Sequence, residues 1–289
     1  MPIALITGCS SGIGRASAGY FAERGFRVFA TVRAEADTVA LAARAAESGA
    51  DVVPVRMDVA RPDSIEHAIA EIIERAGRVD VLINNAGIAI PGAFEDMDLP
   101  AFMHVMRVNF WGPVRVTRAL LPHMRRQGGG RIIMVSSLSA LVGLPGMGAY
   151  SASKAALELA AESLRHEVAR FGIHVSVIEP GAIHTPMPEK IAAGFSTAAE
   201  SPYAPLLAHL RGSVVCGAGG GEDPLQVAEL LYEVATAAQP DFRWPAGARA
   251  RRVIAALSGL EGRARDAFVR AVDGTAWWSE GKESVAGGR

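Results

Sequence analysis

A tyrosine and a lysine four residues apart, in the run Tyr150-Ser151-Ala152-Ser153-Lys154, are the pair in this chain best suited to move a proton. Leu157, Ala160, Ala161, Leu164, Val168 and Phe171 recur at three- and four-residue steps, so the segment is predicted to be helical. Residues i and i+4 share a helix face, and the phenol and ammonium would project together. A free tyrosine titrates near ~10, too high for a base at neutral pH. A neighbouring cation favours the phenolate. Lowering the tyrosine by ~3 units takes about 4 kcal/mol of differential stabilisation. The spacing alone also fits an ordinary exposed helix start, so the rest of the chain has to decide.

A second stretch, Thr7-Gly8-Cys9-Ser10-Ser11-Gly12-Ile13-Gly14, follows a short apolar strand, Ile3 to Thr7. It precedes a helical pattern through Ile13, Ala16, Tyr20 and Phe21. Strand, glycine loop, helix is the order a dinucleotide site needs. Glycines allow a tight turn and close approach of a pyrophosphate, and the helix N-terminus offers free N–H groups. The spacing is Gly-x-x-x-Gly-x-Gly. A second strand, Arg27 to Val32, ends at Thr31-Val32-Arg33 with no acid before Glu35. An acid near this point suits the ribose hydroxyls of NAD, whereas an arginine suits a 2′-phosphate. Arg33, with Arg15 or Ser11, therefore argues for NADP(H) as preferred cofactor, with NAD(H) possible.

These groups need a sheet to hold them. Val52 to Met57 reads as a third strand ending at Asp58-Val59, and Pro62-Asp63 opens a helix with apolar face Ile65, Ala68, Ile69, Ile72 and Ala76. Val79 to Ile83 is a fourth strand running into Asn84-Asn85-Ala86-Gly87. Leu99 to Arg126 reads as helix interrupted at Gly112-Pro113. Arg131 to Val135 is a fifth strand, with Ser136-Ser137 at the end where ligands collect, and His174 to Ile178 is a sixth. Strands alternating with helices imply a doubly wound parallel α/β sheet of about seven strands. The chain has 289 residues, half of them hydrophobic, which suits one domain. A net charge of −1 argues against nucleic acid as an obligatory partner. Two cysteines, Cys9 and Cys216, make no disulfide framework, so a cytoplasmic location is expected. No apolar run reaches the ~18 residues of a transmembrane segment, and the first residues read as a strand, not a signal peptide. The histidines are scattered, and no metal site is expected.

Thr7-Gly8-x-x-x-Gly12-x-Gly14, Asn84-Asn85-Ala86-Gly87, Asn109, Ser137, Tyr150-x-x-x-Lys154 and Pro180-Gly181 together resemble the short-chain dehydrogenases/reductases, over roughly residues 3–190. The glycine loop, Thr31-Val32-Arg33 and Leu144-Pro145 look most like the 17β-hydroxysteroid and retinol dehydrogenase branch. The resemblance implies a Rossmann-type fold and NAD(P)-dependent interconversion of a secondary alcohol and a ketone or aldehyde. Tyr150 would be the acid/base, Ser137 would orient the substrate oxygen, Lys154 would lower the tyrosine pKa, and Asn109 would complete a relay to water. The cofactor would lie along Thr7, Gly8, Ser10, Ser11, Gly12, Ile13, Gly14, Arg33, Asp58, Val59, Asn84, Ala86, Gly87, Tyr150, Lys154, Pro180, Gly181, Ile183 and Thr185. A homodimer or homotetramer is expected by analogy.

The whole chain, 1–289, is expected to be one domain with a core to about 187, a substrate lid over about 188–223, and C-terminal helices and tail over about 224–289. Phe195, Tyr203, Leu206, Leu207 and Leu210 fit either an apolar pocket wall or a plain surface helix pair. Gly217 to Gly221 reads as a hinge, Phe242 to Pro245 as a last edge strand, and Arg249 to Arg270 as a solvated basic tail diluted by acids. Residues 281–289 read as frayed. The main alternative is a non-catalytic dinucleotide sensor on the same fold. Such proteins generally lose a catalytic residue, and here all four are present. An epimerase or dehydratase with tightly held NAD is a third reading.

Overall fold

β1 (Ile3–Ile6) is buried at every position, as a strand covered on both faces must be. The computed structural model describes residues 1–195, 201–218, 221–272 and 274–282. After β1 come α1 (Gly12–Glu23), β2 (Arg27–Val32), α2 (Glu35–Ser48), β3 (Val52–Arg56), α3 (Pro62–Ala76) and β4 (Val81–Asn84). The next elements are α4 (Leu99–Met106), a π-helical segment (Arg107–Trp111), α5 (Gly112–Arg126), β5 (Gly130–Val135), α6 (Gly148–Val168) and β6 (Ile173–Pro180). The chain ends in α7 (Pro186–Gly194), α8 (Ala204–Ala218), α9 (Pro224–Thr236), β7 (Arg243–Ala246), α10 (Ala248–Leu257), α11 (Gly262–Val272) and α12 (Ala276–Ser279).

The strands form one sheet in the order β3-β2-β1-β4-β5-β6-β7, and every pairing is parallel. Connections wind outward both ways from β1 and β4, so a crevice opens beyond their carboxyl ends. Strand period two divides the core. Leu5, Phe29, Leu82, Ile132 and Met134 face Ile65, Ile72, Val116, Leu120 and Leu157 of α3, α5 and α6. Ala4, Ile6, Val28, Ile83 and Ile133 face Ala18, Phe21, Leu41, Val227 and Leu231 of α1, α2 and α9.

Several boundaries differ from the sequence expectation. Residues 35–48 carry no clean apolar period, yet they form α2, with only Leu41 buried. The break expected at Gly112-Pro113 lies upstream: the helix widens to π geometry at 107–111 and resumes at Gly112. Pro113 sits in the first turn, where its missing N–H costs nothing. The expected hinge at 217–221 begins inside α8, which runs through Ala218; residues 219–220 lie outside the described residues. Most of the tail expected to fray, 283–289, also lies outside them. Among the described residues no helix is long and apolar enough to cross a membrane.

Candidate active site

The glycine loop is held by packing that tolerates no extra atoms. Gly8 adopts φ +76°, and a Cβ there would lie 2.8 Å from the Ala86 Cα. A Cβ on Gly14 would overlap the Gly8 carbonyl and lie 2.5 Å from Asn85 Nδ2. Thr7 Oγ1 accepts from the amides of Asn85 and Ala86, both at 3.0 Å. Asn85 Nδ2 donates to the carbonyls of Thr7 (2.8 Å) and Gly8 (3.1 Å). The loops after β1 and β4 are thus stitched together by Asn85, a member of the Asn84-Asn85-Ala86-Gly87 motif to which the sequence assigned no contact. Its neighbour Asn84 turns away from the crevice. Asn84 is buried, and its Nδ2 donates to Thr117 Oγ1 at 3.1 Å and approaches Met134 Sδ at 3.3 Å. Any contact of Asn84 with a cofactor would be through backbone, because alternation along β4 points its side chain into the core.

Ser11 precedes α1 without a side-chain capping bond, leaving the first N–H groups of the helix for a ligand. Ser10 is exposed beside it, and Ile13 lies in the first turn. Arg33 is exposed, and among the described residues no carboxylate pairs with it. Glu35, the nearest acid after β2, instead reaches Arg56 at 3.6 Å. Asp58 closes the loop after β3: its Oδ1 accepts from the Ala60 amide, and its own amide donates to Ser64 Oγ. Val59 is buried and would lie 3.0 Å from a Cβ on Gly112, so its side chain supports the π segment. These features fit a dinucleotide along the carboxyl edge of β1 to β4.

Opposite lies the exit of β6. The Gly181 amide donates to the Ala246 carbonyl at 3.2 Å. Ile183 is buried and bridges Glu222. Thr185 caps α7 by accepting from the Met187 amide, and its methyl would lie 3.0 Å from a Cβ on Gly12. Thr185 and the glycine loop therefore flank one crevice. His184 is exposed and, with Gly12, Arg15, Thr185 and Asp223, lines a groove of about 550 Å³ that does not include Ser137, Tyr150 or Lys154.

The proton-moving groups converge at the end of β5. Lys154 is 4% exposed; its Nζ donates to the Val135 carbonyl at 2.8 Å and lies 5.7 Å from the centre of the Tyr150 ring. A Cβ on Gly87 would lie 3.6 Å from that Nζ and 3.5 Å from Asn109 Oδ1. Asn109 sits in the π segment, a distortion frequent at functional sites. Its side chain pairs with Ile88 like a strand neighbour, accepting from the amide (2.9 Å) and donating to the carbonyl (2.8 Å). It also donates to Ser153 Oγ, which donates to the Tyr150 carbonyl. Ser137 accepts from the Ser139 amide at 3.1 Å and interacts with the Tyr150 hydroxyl.

Burial dominates the electrostatics of Tyr150 and Lys154. Burial pushes the Tyr150 pKa up, and the hydrogen bond from Ser137 only partly opposes it. Burial also pushes the Lys154 pKa down to about 8, against the pull of Glu158. Both charged forms lose water, and the ammonium is directed at Val135. Protein side chains alone thus hold Tyr150 neutral.

The lid candidates Phe195, Leu206, Leu207 and Leu210 bury one another against Ala93, with Tyr203 packed alongside. A Cβ on Gly146 would touch Phe195, Leu210 and Leu207, so this small core sits on the loop between Ser137 and Tyr150. Among the tail arginines, 249, 251, 252 and 263 are exposed as expected. Arg265 is half-buried and its Nη2 donates to the Leu141 carbonyl at 2.7 Å, tying α11 to the same loop. Nothing in the sequence marks this pairing, 124 residues apart.

The family model described as short chain dehydrogenase matches residues 2–194. Estradiol 17-beta-dehydrogenase 1 of Rattus norvegicus is 38% identical over 251 residues, covering 84% of this chain and 72% of the relative. Retinol dehydrogenase 8 of Homo sapiens is 34% identical over 249 residues, covering 83% and 79%. A crystal structure of a short-chain dehydrogenase from Streptomyces avermitilis superposes with a TM-score of 0.75 at 32% identity, covering 97% of each chain.

Proposed function

The chain belongs to the short-chain dehydrogenases and is an enzyme acting on CH–OH donors; from that premise we propose that it interconverts a secondary alcohol and a ketone or aldehyde using NADP(H), with Tyr150 as acid/base. The observation that carries this reading is the convergence of Ser137, Tyr150, Lys154 and Asn109 at the end of β5, beneath Gly87. A bound nicotinamide cofactor supplies or accepts the hydride. In reduction Tyr150 gives its hydroxyl proton to the substrate oxygen, and in oxidation it takes that proton back. Ser137 donates to the same oxygen and fixes its distance from the phenol. Lys154 neutralises charge on the phenolate and holds the ribose, and Asn109 keeps the helix open beside Ile88.

Preference for NADP(H) rests on Arg33, with Glu35 drawn off to Arg56. A lipophilic substrate, steroid- or retinoid-like, is supported by the names of the two relatives and by the apolar core resting on Gly146. The remaining cofactor contacts are assigned to Thr7, Gly8 and Ser10 to Gly14, to Asp58, Val59, Ala86 and Gly87, and to Pro180, Gly181, Ile183 and Thr185. Residues 188–223 are assigned as the substrate lid. Exposed Leu99, Met103, Trp111 and Leu159 on α4, the π segment and α6 support a homodimer or homotetramer through that face. A cytoplasmic location is proposed from the low cysteine count.

The test is a panel of apolar ketones and alcohols with both cofactors, followed by absorbance of the reduced nicotinamide. Turnover with NADPH is expected, and Tyr150→Phe lowers kcat by roughly 10²–10⁴-fold without unfolding the protein. Parental turnover by Tyr150→Phe refutes the acid/base assignment. Cofactor binding with no turnover on any substrate favours the sensor reading.

A further inference from the structure

Glu158 lies one helical turn beyond Lys154 on α6 and is 2% exposed. Its Oε1 accepts from Ser136 Oγ and its Oε2 from Arg243 Nη1. The same guanidinium nitrogen donates to Glu179 Oε1 at 2.7 Å, and Glu179 is 1% exposed. Two buried carboxylates, one in the middle of α6 and one near the end of β6, therefore share one arginine, which comes from the edge strand β7. Ionised, the three groups sum to one negative charge. A buried charge of that kind is costly unless a cation completes it. Lys154, one helical turn before Glu158, is the buried cation on α6, and it donates to the Val135 carbonyl with no ion pair to Glu158 within 4 Å among the described residues.

We propose that Glu158, bridged to Glu179 through Arg243, is the buried counter-ion that keeps Lys154 protonated and that fixes the end of β5 carrying Ser137. The proposal deepens the acid/base reading above and rests on it for its catalytic meaning. Glu158 acts as a positioning residue, because it touches Lys154's surroundings and not the substrate. The mechanical half is visible in the contacts: Lys154 holds the Val135 carbonyl, Glu158 holds the Ser136 hydroxyl, and Ser137 follows. One face of α6 thus grips the two residues before the substrate-orienting serine.

The electrical half follows from what surrounds the amine. On α6 the titratable neighbours are Tyr150 and Glu158; β6 brings Glu179, and β7 brings Arg243. Glu162 reaches Arg243 at 3.8 Å from an exposed position. Arg107 on the π segment and Arg170 after α6 are exposed. Glu158 is the charge that opposes the effect of burial on Lys154. Glu179 is itself pushed up, first by burial and then by Glu158, and Arg243 opposes that shift.

Lys154, Lys190 and Lys282 are the chain's only lysines, so carbon-13 labelling of lysine gives a spectrum in which Lys154→Met identifies the buried signal. In the ligand-free protein, Glu158→Gln is expected to lower the titration midpoint of Lys154 by about one pH unit. Glu179→Gln is expected to lower it less. Arg243→Met, which removes positive charge, raises it or leaves it in place where Glu179 takes up a proton. The alkaline limb of kcat/KM for carbonyl reduction should move in the same directions, because either proton of the Tyr150–Lys154 pair leaves more readily once negative charge is removed. An unmoved Lys154 midpoint in both glutamate variants overturns the counter-ion. A fall in Arg243→Met equal to that in Glu158→Gln also overturns it, since loosened packing would move both alike. If Glu158→Gln does not fold, Glu179→Gln decides by the same criterion. The expected movements of the Lys154 midpoint in a protein that turns over no substrate would sink the oxidoreductase reading and leave the counter-ion standing.

Discussion

Replacing Lys154 by methionine should change how stability depends on pH, and the burial of the amine sets the size of the effect. The lysine titrates at about 8 in the folded protein against 10.5 when unperturbed. A base whose pKa is depressed on folding binds fewer protons folded than unfolded between those values. The free energy of unfolding therefore rises with pH across that window. At pH ~7 nearly the whole cost of burying the ammonium is present, and by pH ~9.5 more than half is relieved. The difference is about 2 kcal/mol, taking 1.36 kcal/mol per unit. Tyr150 and Cys9, whose pKa values burial raises, act in the opposite sense as pH climbs past their ordinary values. Both remain in Lys154→Met, so subtracting the variant's curve from the parent's removes them where they act alone. Urea unfolding of parent and variant from pH ~7 to ~9.5 is the assay. The parent should gain about 2 kcal/mol relative to the variant across the range. Parallel curves would mean that Lys154 is not held as a buried amine with a lowered pKa, and the electrostatics argued for the site would fail with it.

Gly14→Ala puts a methyl group against the Gly8 carbonyl and Asn85 Nδ2, neither of which can yield without unstitching the two loops. A loss of about 1–3 kcal/mol of stability is expected, with weaker cofactor binding in a fluorescence titration; an alanine variant with parental stability and affinity would contradict the packing. Arg33→Ala should reduce the ratio of kcat/KM for NADPH over NADH by about tenfold or more, the worth of one hydrogen bond to a charged group. An unchanged ratio would show that the 2′-phosphate is read elsewhere.

How far the sequence could be read depended on how local each signal was. The inner strands were legible because each is a short, largely apolar run next to a turn signal, and parallel pairing buries both faces of Ile3–Ile6 and Val81–Asn84 alike. Tyr150 and Lys154 were legible because four residues on one helix fix their geometry. α2 was not, since only Leu41 faces the core and no periodicity results. Asn84 and Asn85 look interchangeable in sequence; alternation along β4 sends one into the core and the other across to Thr7 and Gly8. The loss of water at Tyr150 was not legible, because a spacing reveals the partner but not the burial that pushes the phenol up.

Arg243 shows why charges are the hardest to read. In the sequence it is one of many arginines, in a strand of four residues at the sheet edge. Its meaning comes from partners 85 and 64 residues away. Neither carboxylate has a local reason to be buried: Glu158 is not among the apolar positions that repeat along α6, and Glu179 follows a β-branched run at the end of β6. A carboxylate in either place would be an error in a purely structural protein, where leucine would pack as well without the cost of desolvation. Glu158 lies one turn from Lys154 and holds Ser136, and Glu179 joins it through Arg243, which is what makes the pair intelligible as part of the chemistry of the site.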